Sequence, residues 1–366
     1  MTFIQSKDLI GKKESILDTL LLLNPLTTPL INLVGFDNPV ADTTVTFYED
    51  EMFPTATTLT AAIDAVTKTI AVADTEAFLV DCVAEIGEES VYVTAVDESA
   101  GTITVERGYA GTTAAEAKKG DSIEFQFVVN EEGGETKQTR FKAKTPVYNV
   151  TQIFKEGISV SGTTTSIAMH GQGDMENVYL HERLKKETEL AAQLERALIN
   201  GRKIDNGKFR TMAGIRQMMK TNVIDAGGQP ITASMITDVS KSLYEKGAFD
   251  AGANFVLMCG ANQKVAISNL QADNVRITQQ ENQQGRVVDV LLNDFAQLPI
   301  VLNNNLKPDE VFLIDTNRIK IRPLVGREFH HVFEGVDGDR TKGFVVGEYT
   351  LEFNQESAQA RIKNLA

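Results

Sequence analysis

Apolar residues recur along the chain at two spacings, and each change of spacing marks an element. From Asp42 to Phe53 (DTTVTFYEDEMF) they alternate with polar residues. Val45 and Phe47 share one face and Thr44, Thr46 and Tyr48 the other, the pattern of a half-buried strand. Alternation returns over residues 55–127 in short runs, TKTIAVAD, VAEIGEESVYVTAV, GTITVERG and DSIEFQFVV, joined by polar turns. DESAG at 97–101 is the clearest hairpin signal among those turns. A third alternating stretch, 135–163, sets Arg140, Lys142 and Lys144 against Phe141 and Ala143, so one face of that ribbon is basic.

The spacing then lengthens. Over residues 174–200, Leu180, Leu184, Ala191, Leu194 and Leu198 fall on one helical stripe, with Glu187 its single charge. Asp174 is a good N-cap, and Gly201 stands where a left-handed residue ends a helix. Glu182 precedes Lys186 by four residues, the better orientation for a helical ion pair. At 1.5 Å per residue this is a rod of roughly 40 Å. The chain beyond the helix reads as α/β. A helix over 234–246 carries Ile236, Val239 and Leu243 on one face and ends at Gly247, and a buried strand, NFVLMCG, precedes a second helix over 262–270. A polar loop over 271–286 leads to strands VVDVLLN, LPIVLN, EVFLID and IKIRPL, and the alternating GFVVGEYTLEF comes near the end. Residues 1–40 carry Pro25, Pro29 and Pro39, a spacing that prevents a long helix or central strand and predicts an extended arm. Its leucine-rich run, ILDTLLLLNPL, contains Asp18, stops at Pro25 and is too short to cross a bilayer. It reads as a short helix or arm that buries its leucines against a neighbour.

Of the 366 residues 42% are hydrophobic and 23% charged, enough apolar material for a sizeable core. A net charge of −14 argues against a broad grip on nucleic acid and against coating an anionic membrane. Residues 55–127 alone hold −9 of it, so a compact acidic all-β unit looks inserted into a host domain. Cys82 and Cys259 lie in apolar strands, which suits buried thiols in a reducing compartment, with a disulfide as the alternative. His330 and His331 are adjacent and point to opposite faces of a strand, and His170 and His181 stand alone, so no metal site is expected. GQGD and GVDGDRTKG match no phosphate loop, DGD at 337–339 reads as a surface turn, and no nucleophile elbow occurs. YEDE at 48–51 is either a solvated strand end or an ion-pairing interface element. No catalytic, cofactor-binding or metal-ligating residue is therefore predicted, and the chain is not expected to be an enzyme. A proline-broken arm, polar ribbons and a long amphipathic helix do not close into one globule. Two-stranded ribbons are marginal in water unless neighbours bury them, which points to an assembly protein.

Several segments carry a resemblance. TTPLINLVG (27–35) and FYEDEMFPTA resemble the N-terminal arm and extended loop of major capsid proteins of tailed bacteriophages with the Hong Kong 97-type fold. YNVTQIFKEGISVSGTTTSI and the helix ending LERALING resemble that family's return strand and spine helix. VLMCGANQKVAISNL resembles its axial-domain strand and helix, and VGEYTLEFNQESAQARI its closing peripheral strand. RGYAGTTAAEAKKGDSI (107–123) resembles a small β module of phage structural proteins.

The resemblance implies an α+β chain. Its parts are an arm (1–41), an extended loop (42–54 and 128–165), a small all-β insertion (55–127), a peripheral domain (166–210 and 318–366) with its spine helix over 174–200, and an axial α/β domain (211–317). It implies self-assembly into hexamers and pentamers of an icosahedral shell that encloses double-stranded DNA without sequence-specific binding, in a virion assembled in the bacterial cytoplasm. Since the chain opens directly on its arm, a separate scaffolding protein is expected, with a portal and a decoration protein as further partners and no membrane. No lysine aligns with a cross-linking position, so no covalent cross-link is predicted. Inter-subunit contacts are expected at Leu26, Leu30 and Leu33 in the arm. The acidic Glu49, Asp50 and Glu51 and the basic Arg140, Lys142 and Lys144 are expected to contribute in the loop, and Glu182, Arg183 and Lys186 on the helix. A tail or decoration component is the alternative within phage particles; a soluble enzyme with an unrecognised site would instead show a deep polar pocket.

Overall fold

The computed structural model describes residues 28–133, 140–166, 177–249, 252–270, 276–281 and 287–366. They form two compact units, Glu49–Thr145 and the remainder of the chain on either side of it.

The described chain opens with α1 (Pro29–Val34), where Pro29 occupies the first turn, the place its fixed φ suits. Gly35, at φ +74°, ends the helix. Residues 36–40 then run parallel to residues 321–324 through bridges Phe36↔Ile321 and Val40↔Leu324. The Asp37 and Val40 amides donate to Ile321 O (2.9 Å) and Pro323 O (2.8 Å). This part of the arm is therefore extended and held on its own subunit. β1 (Thr44–Glu49) comes next, with Phe47 buried and Thr44, Thr46 and Tyr48 outward.

In the Glu49–Thr145 unit, β2 (Ala56–Thr58), β3 (Thr69–Ala71), β4 (Cys82–Ile86), β5 (Glu89–Asp97), β6 (Thr102–Glu106) and β7 (Ser122–Val128) pair antiparallel in the order β2-β7-β4-β5-β6-β3. The two edges meet. Thr60 N donates to Ala71 O (3.0 Å) and Ala73 N to Thr58 O (2.9 Å), closing the sheet into a small barrel filled by Ile70, Val91, Val93, Ile103 and Ile123. Closure removes the exposed edges that a six-stranded sheet would otherwise present. At the β5–β6 turn the Asp97 carboxylate accepts the amides of Ser99 and Ala100, and Gly101 takes φ +65°. The unit is wider than residues 55–127 because the flanks are tied to it. Lys142 pairs with Glu51 (3.3 Å), Lys144 with Asp50 (3.6 Å), and the Arg140 guanidinium lies 4.1 Å from the Phe53 ring centre.

In the unit formed by the rest of the chain, β8 (Thr145–Val150) pairs with β1, and β9 (Gln152–Ser161) leads to α2 (Gly162–Ser166) and α3 (Asn177–Asn200). After a small hairpin, β10 (Ile204–Asp205) with β11 (Arg210–Thr211), come α4 (Ile215–Met218), β12 (Val223–Asp225), α5 (Ala233–Glu245), β13 (Phe255–Cys259), α6 (Ala261–Ser268), β14 (Arg276–Glu281), β15 (Val287–Leu292), β16 (Gln297–Leu302) and β17 (Val311–Asp315). β18 (Ile319–Pro323), β19 (His330–Val336), β20 (Arg340–Phe353) and β21 (Ala360–Lys363) complete the chain.

A seven-stranded sheet in the order β12-β21-β17-β13-β16-β15-β14 mixes parallel pairs (β12/β21, β13/β16) with antiparallel ones. β13 is buried at every residue, as a central strand covered on both faces must be. α5, capped by the Thr232 hydroxyl accepting from Met235 N (3.3 Å), lays Ile236, Val239 and Leu243 on this sheet. Residues 276–281, expected in a polar loop, are a strand, because pairing with β15 overrides the low strand preference of RITQQE. The second sheet centres on the 14-residue β20, flanked by β9 and β19 over its first half and by β18 over its second. Phe154, Ile158 and Val160 of β9 belong to one core with Leu190, Leu194, Leu198 and Ile199 of α3. Both cysteines are buried and free.

Candidate subunit interface

α3 carries most of the geometry that bears on assembly. Its second half is the buried half: Leu190, Ala192, Leu194, Glu195, Leu198 and Ile199 face the core. The expected stripe is corrected at its start, since Leu180 and Leu184 remain 44% and 54% exposed. Val178 and Tyr179 on the same turn pack against the core, so Leu180 and Leu184 lie on the opposite side of the helix and share an outward face that the described residues of this chain leave half-exposed. Gly201 is also corrected. It is not left-handed; a side chain there would strike Ala197 O and Met212 O, so close approach of residues 212–214 demands the glycine. Asp174 lies outside the described residues.

Glu195 is fully buried with no cation against it among the described residues. Its carboxylate accepts Leu30 N (2.8 Å), Ile31 N (3.0 Å) and Asn303 Nδ2 (2.7 Å), joining arm, spine and the end of β16. Burial raises its pKa, against the lowering effect of those three bonds. Leu30 beside it is fully buried in this subunit's own core, so it is removed from the inter-subunit set; Leu33 points outward at 37% exposure. Leu26 lies outside the described residues.

At the other end of α3, the Tyr179 hydroxyl shares a 2.8 Å hydrogen bond with His331 Nε2, and its ring meets Phe333 edge-on at 6.2 Å. Gly343 makes this seat. A β-carbon there would collide with the Tyr179 hydroxyl and lie 2.9 Å from Val332 O. Burial, then the Arg183 charge, lower the His331 pKa. Around the outward leucines the charges pair along the helix: Arg183 with Glu187 (2.7 Å), Lys185 with Glu182 (3.1 Å) and Lys186 with Glu189 (2.7 Å). The expected Glu182–Lys186 pair is thus replaced by two i,i+3 pairs. The bond to Glu189 is the first cause of the raised Lys186 pKa. On β19, Phe333 and Val336 are 60% and 73% exposed.

The loop residues expected at contacts between subunits also pair with one another inside the chain. Lys142 reaches Glu51 and Glu76, Lys144 reaches Asp50, and Arg140 donates to Glu76 O (3.0 Å). The acidic and basic runs are each other's partners within one chain. Glu49, at the end of β1, is half-buried. Sequence reasoning missed the anchor at the loop's root. Glu348 on β20 is buried and meets Thr151 Oγ1 (2.6 Å), Arg210 (3.0 Å) and Arg327 (2.8 Å). Its only sequence signal is a glutamate that follows the apolar run FVV in the strand GFVVGEYTLEF. Glu195 gives a comparable signal, next to the stripe position Leu194.

This arrangement, a long helix across a β20-centred sheet beside a mixed α/β sheet with a ribbon and an arm, is the Hong Kong 97-type fold of phage capsid subunits. The chain is similar to the cyanophage A-1(L) capsid subunit, with a TM-score of 0.52 and 8% identity over 99% of this chain and 98% of that one. It is also similar to the capsid of the native GTA particle, with a TM-score of 0.51 and 9% identity over 99% and 98% of the two chains. At such identity the likeness shows the fold. No curated protein sequence matches the chain significantly. The family model for the SU10 major capsid protein matches residues 3–366. The chain belongs to the SU10 major capsid protein family: it is a structural subunit of a tailed-phage head shell.

Proposed function

We propose that copies of this chain close into hexameric and pentameric rings that tile an icosahedral head around double-stranded DNA, assembled in the host cytoplasm on a separate scaffolding protein and around a portal. Residues 42–54 and 128–165 act as the extended loop and 55–127 as an insertion. Residues 166–210 with 318–366 serve as the peripheral domain and 211–317 as the axial domain. The observation that carries the ring contact is the outward apolar face of α3, Leu180 and Leu184, which the described subunit leaves half-exposed. Paired charges at Glu182, Arg183 and Lys186 surround it and supply a polar rim. A ring contact of this kind is heterologous and closes by rotation, so many modest contacts hold the shell together.

The test is Leu184→Asp. An exposed substitution on an outward helix face leaves the fold within about 0.5 kcal/mol. Circular dichroism and the melting temperature should stay unchanged, while negative-stain microscopy should show single subunits in place of rings or shells. Normal shells from the variant would refute the contact.

A further inference from the structure

The sequence contains two neighbouring Asn-Gly pairs, Asn200–Gly201 and Asn206–Gly207, in opposite surroundings. An Asn-Gly pair is chemically reactive: the glycine amide nitrogen can attack the asparagine side-chain carbonyl carbon, because glycine has no side chain to block the approach.

Asn200 is locked. Its Nδ2 donates to Asn305 O (3.0 Å), and the Gly201 amide closes the helix by donating to Ala197 O (2.8 Å). There is also no room around Gly201, where even a β-carbon would collide with Met212 O. Asn206 lies in the exposed turn between β10 and β11, and each group the reaction needs is provided. Its Oδ1 accepts the amides of Lys208 (3.1 Å) and Phe209 (2.9 Å), which polarise the carbonyl and would stabilise negative charge developing on that oxygen. The Gly207 N–H, the nucleophile's proton, donates to Asp205 Oδ1 at 3.0 Å, so a carboxylate is placed to take it. Gly207 holds φ +76°, a conformation that keeps the turn in this shape.

We propose that Asn206 is a self-modifying site at which the native hairpin promotes its own deamidation, with Asp205 as the base. Asp205 removes the Gly207 amide proton as the nitrogen bonds to Cγ of Asn206. The tetrahedral oxyanion is held by the Lys208 and Phe209 amides. It collapses with loss of the side-chain nitrogen as ammonia, which carries away the proton, and leaves a five-membered succinimide. Water opens the ring at either carbonyl to give aspartate or isoaspartate; no oxidant or reductant takes part. The product places a second carboxylate beside Asp205. Where isoaspartate forms, an extra backbone methylene enters a hairpin that has only two cross-strand pairs, Ile204↔Thr211 and Asp205↔Arg210. Arg210 is the residue that reaches Glu348 at the loop's root, so the change alters an anchor in an age-dependent way.

The experiment follows the purified full-length protein over time at neutral and mildly alkaline pH, by peptide mapping with isoaspartyl methyltransferase labelling. The same protein unfolded in urea serves as the reference. Asn206 should convert in the native protein at least as fast as in the unfolded chain, while Asn200 converts only when unfolded. Asp205→Ala should slow the native conversion about a hundredfold or more, the lower end of what a positioned general base contributes. Native conversion of Asn206 slower than in urea, equal conversion of Asn200 and Asn206 in the folded protein, or an unaffected rate in the Asp205 variant would each overturn the proposal.

Discussion

Glu89→Gln removes one charge from the Glu49–Thr145 barrel while keeping the side chain's shape. In the native protein Glu89 and Arg107 meet in two parallel 2.7 Å hydrogen bonds, Nε to Oε1 and Nη2 to Oε2, and both side chains are almost fully buried. Their other hydrogen bonds go to backbone. Arg107 also donates to Asp64 O, Thr67 O and Ala115 O, and Glu89 also accepts the amides of Gly108 and Ala115. The substitution leaves a buried guanidinium without its counter-charge and turns a side-chain NH2 toward a backbone N–H. Breaking a buried pair from one side costs about 3–5 kcal/mol. A domain of about 100 residues has roughly 5–15 kcal/mol in all. With a urea dependence of about 2 kcal/mol/M, the unfolding midpoint of this unit should fall by about 2 M. Hydrogen exchange of β4–β7 peptides across a urea series reads it directly, and the stacked Tyr92–Tyr109 rings, 5.3 Å apart, give a local near-UV signal. A midpoint shift under about 0.5 M would refute the reasoning. Unlike many buried pairs, this one should not be rescued by replacing both partners with apolar residues, because five backbone groups would lose their partners. Acid should mimic the substitution. Burial opposes ionisation of Glu89, but the Arg107 and backbone bonds outweigh it and lower its pKa below the ordinary 4.5. The stabilisation is therefore complete above 4.5 and is lost as pH falls through the lowered folded value.

Glu195→Ala should release the arm. The Leu30 and Ile31 amides lose their acceptor, at about 1–3 kcal/mol, and a protease should cut near residues 28–35 earlier while the core keeps its exchange protection; an arm as resistant as the native one would count against the contact. Because burial raises the folded pKa of Glu195, this carboxyl's contribution to the stability of the fold should be complete below 4.5 and fade as pH rises through the raised value, a dependence the variant should lack in urea unfolding. Gly343→Ala should lift Tyr179 from its seat at about 1–3 kcal/mol, and the His331 titration, followed by NMR, should return upward toward 6.5; an unmoved titration would show that the seat does not depend on the glycine.

Local spacing carried much of this protein. Strand alternation, the DESAG turn, the helix expected over 234–246 and the second half of the leucine stripe of α3 were legible because each is set by neighbours a few residues away. The order of those segments was enough to place the chain among tailed-phage capsid proteins. Long-range pairing was not legible. Lys142 finds Glu51 across 91 residues and Glu195 finds Leu30 across 165, distances over which no period in the sequence speaks. For the same reason the stripe could not reveal that Leu194 faces its own core and Leu184 faces outward, since both positions read alike on one helix. Gly201 looked like a left-handed helix end and proved to be a close crossing of backbone, a fact set by residues 212–214. The sequence by itself determined the elements and their order, because hydrophobic period and turn chemistry act locally. Only the tertiary structure decided which apolar faces stay uncovered and which charges are already paired, because those depend on what the fold brings alongside.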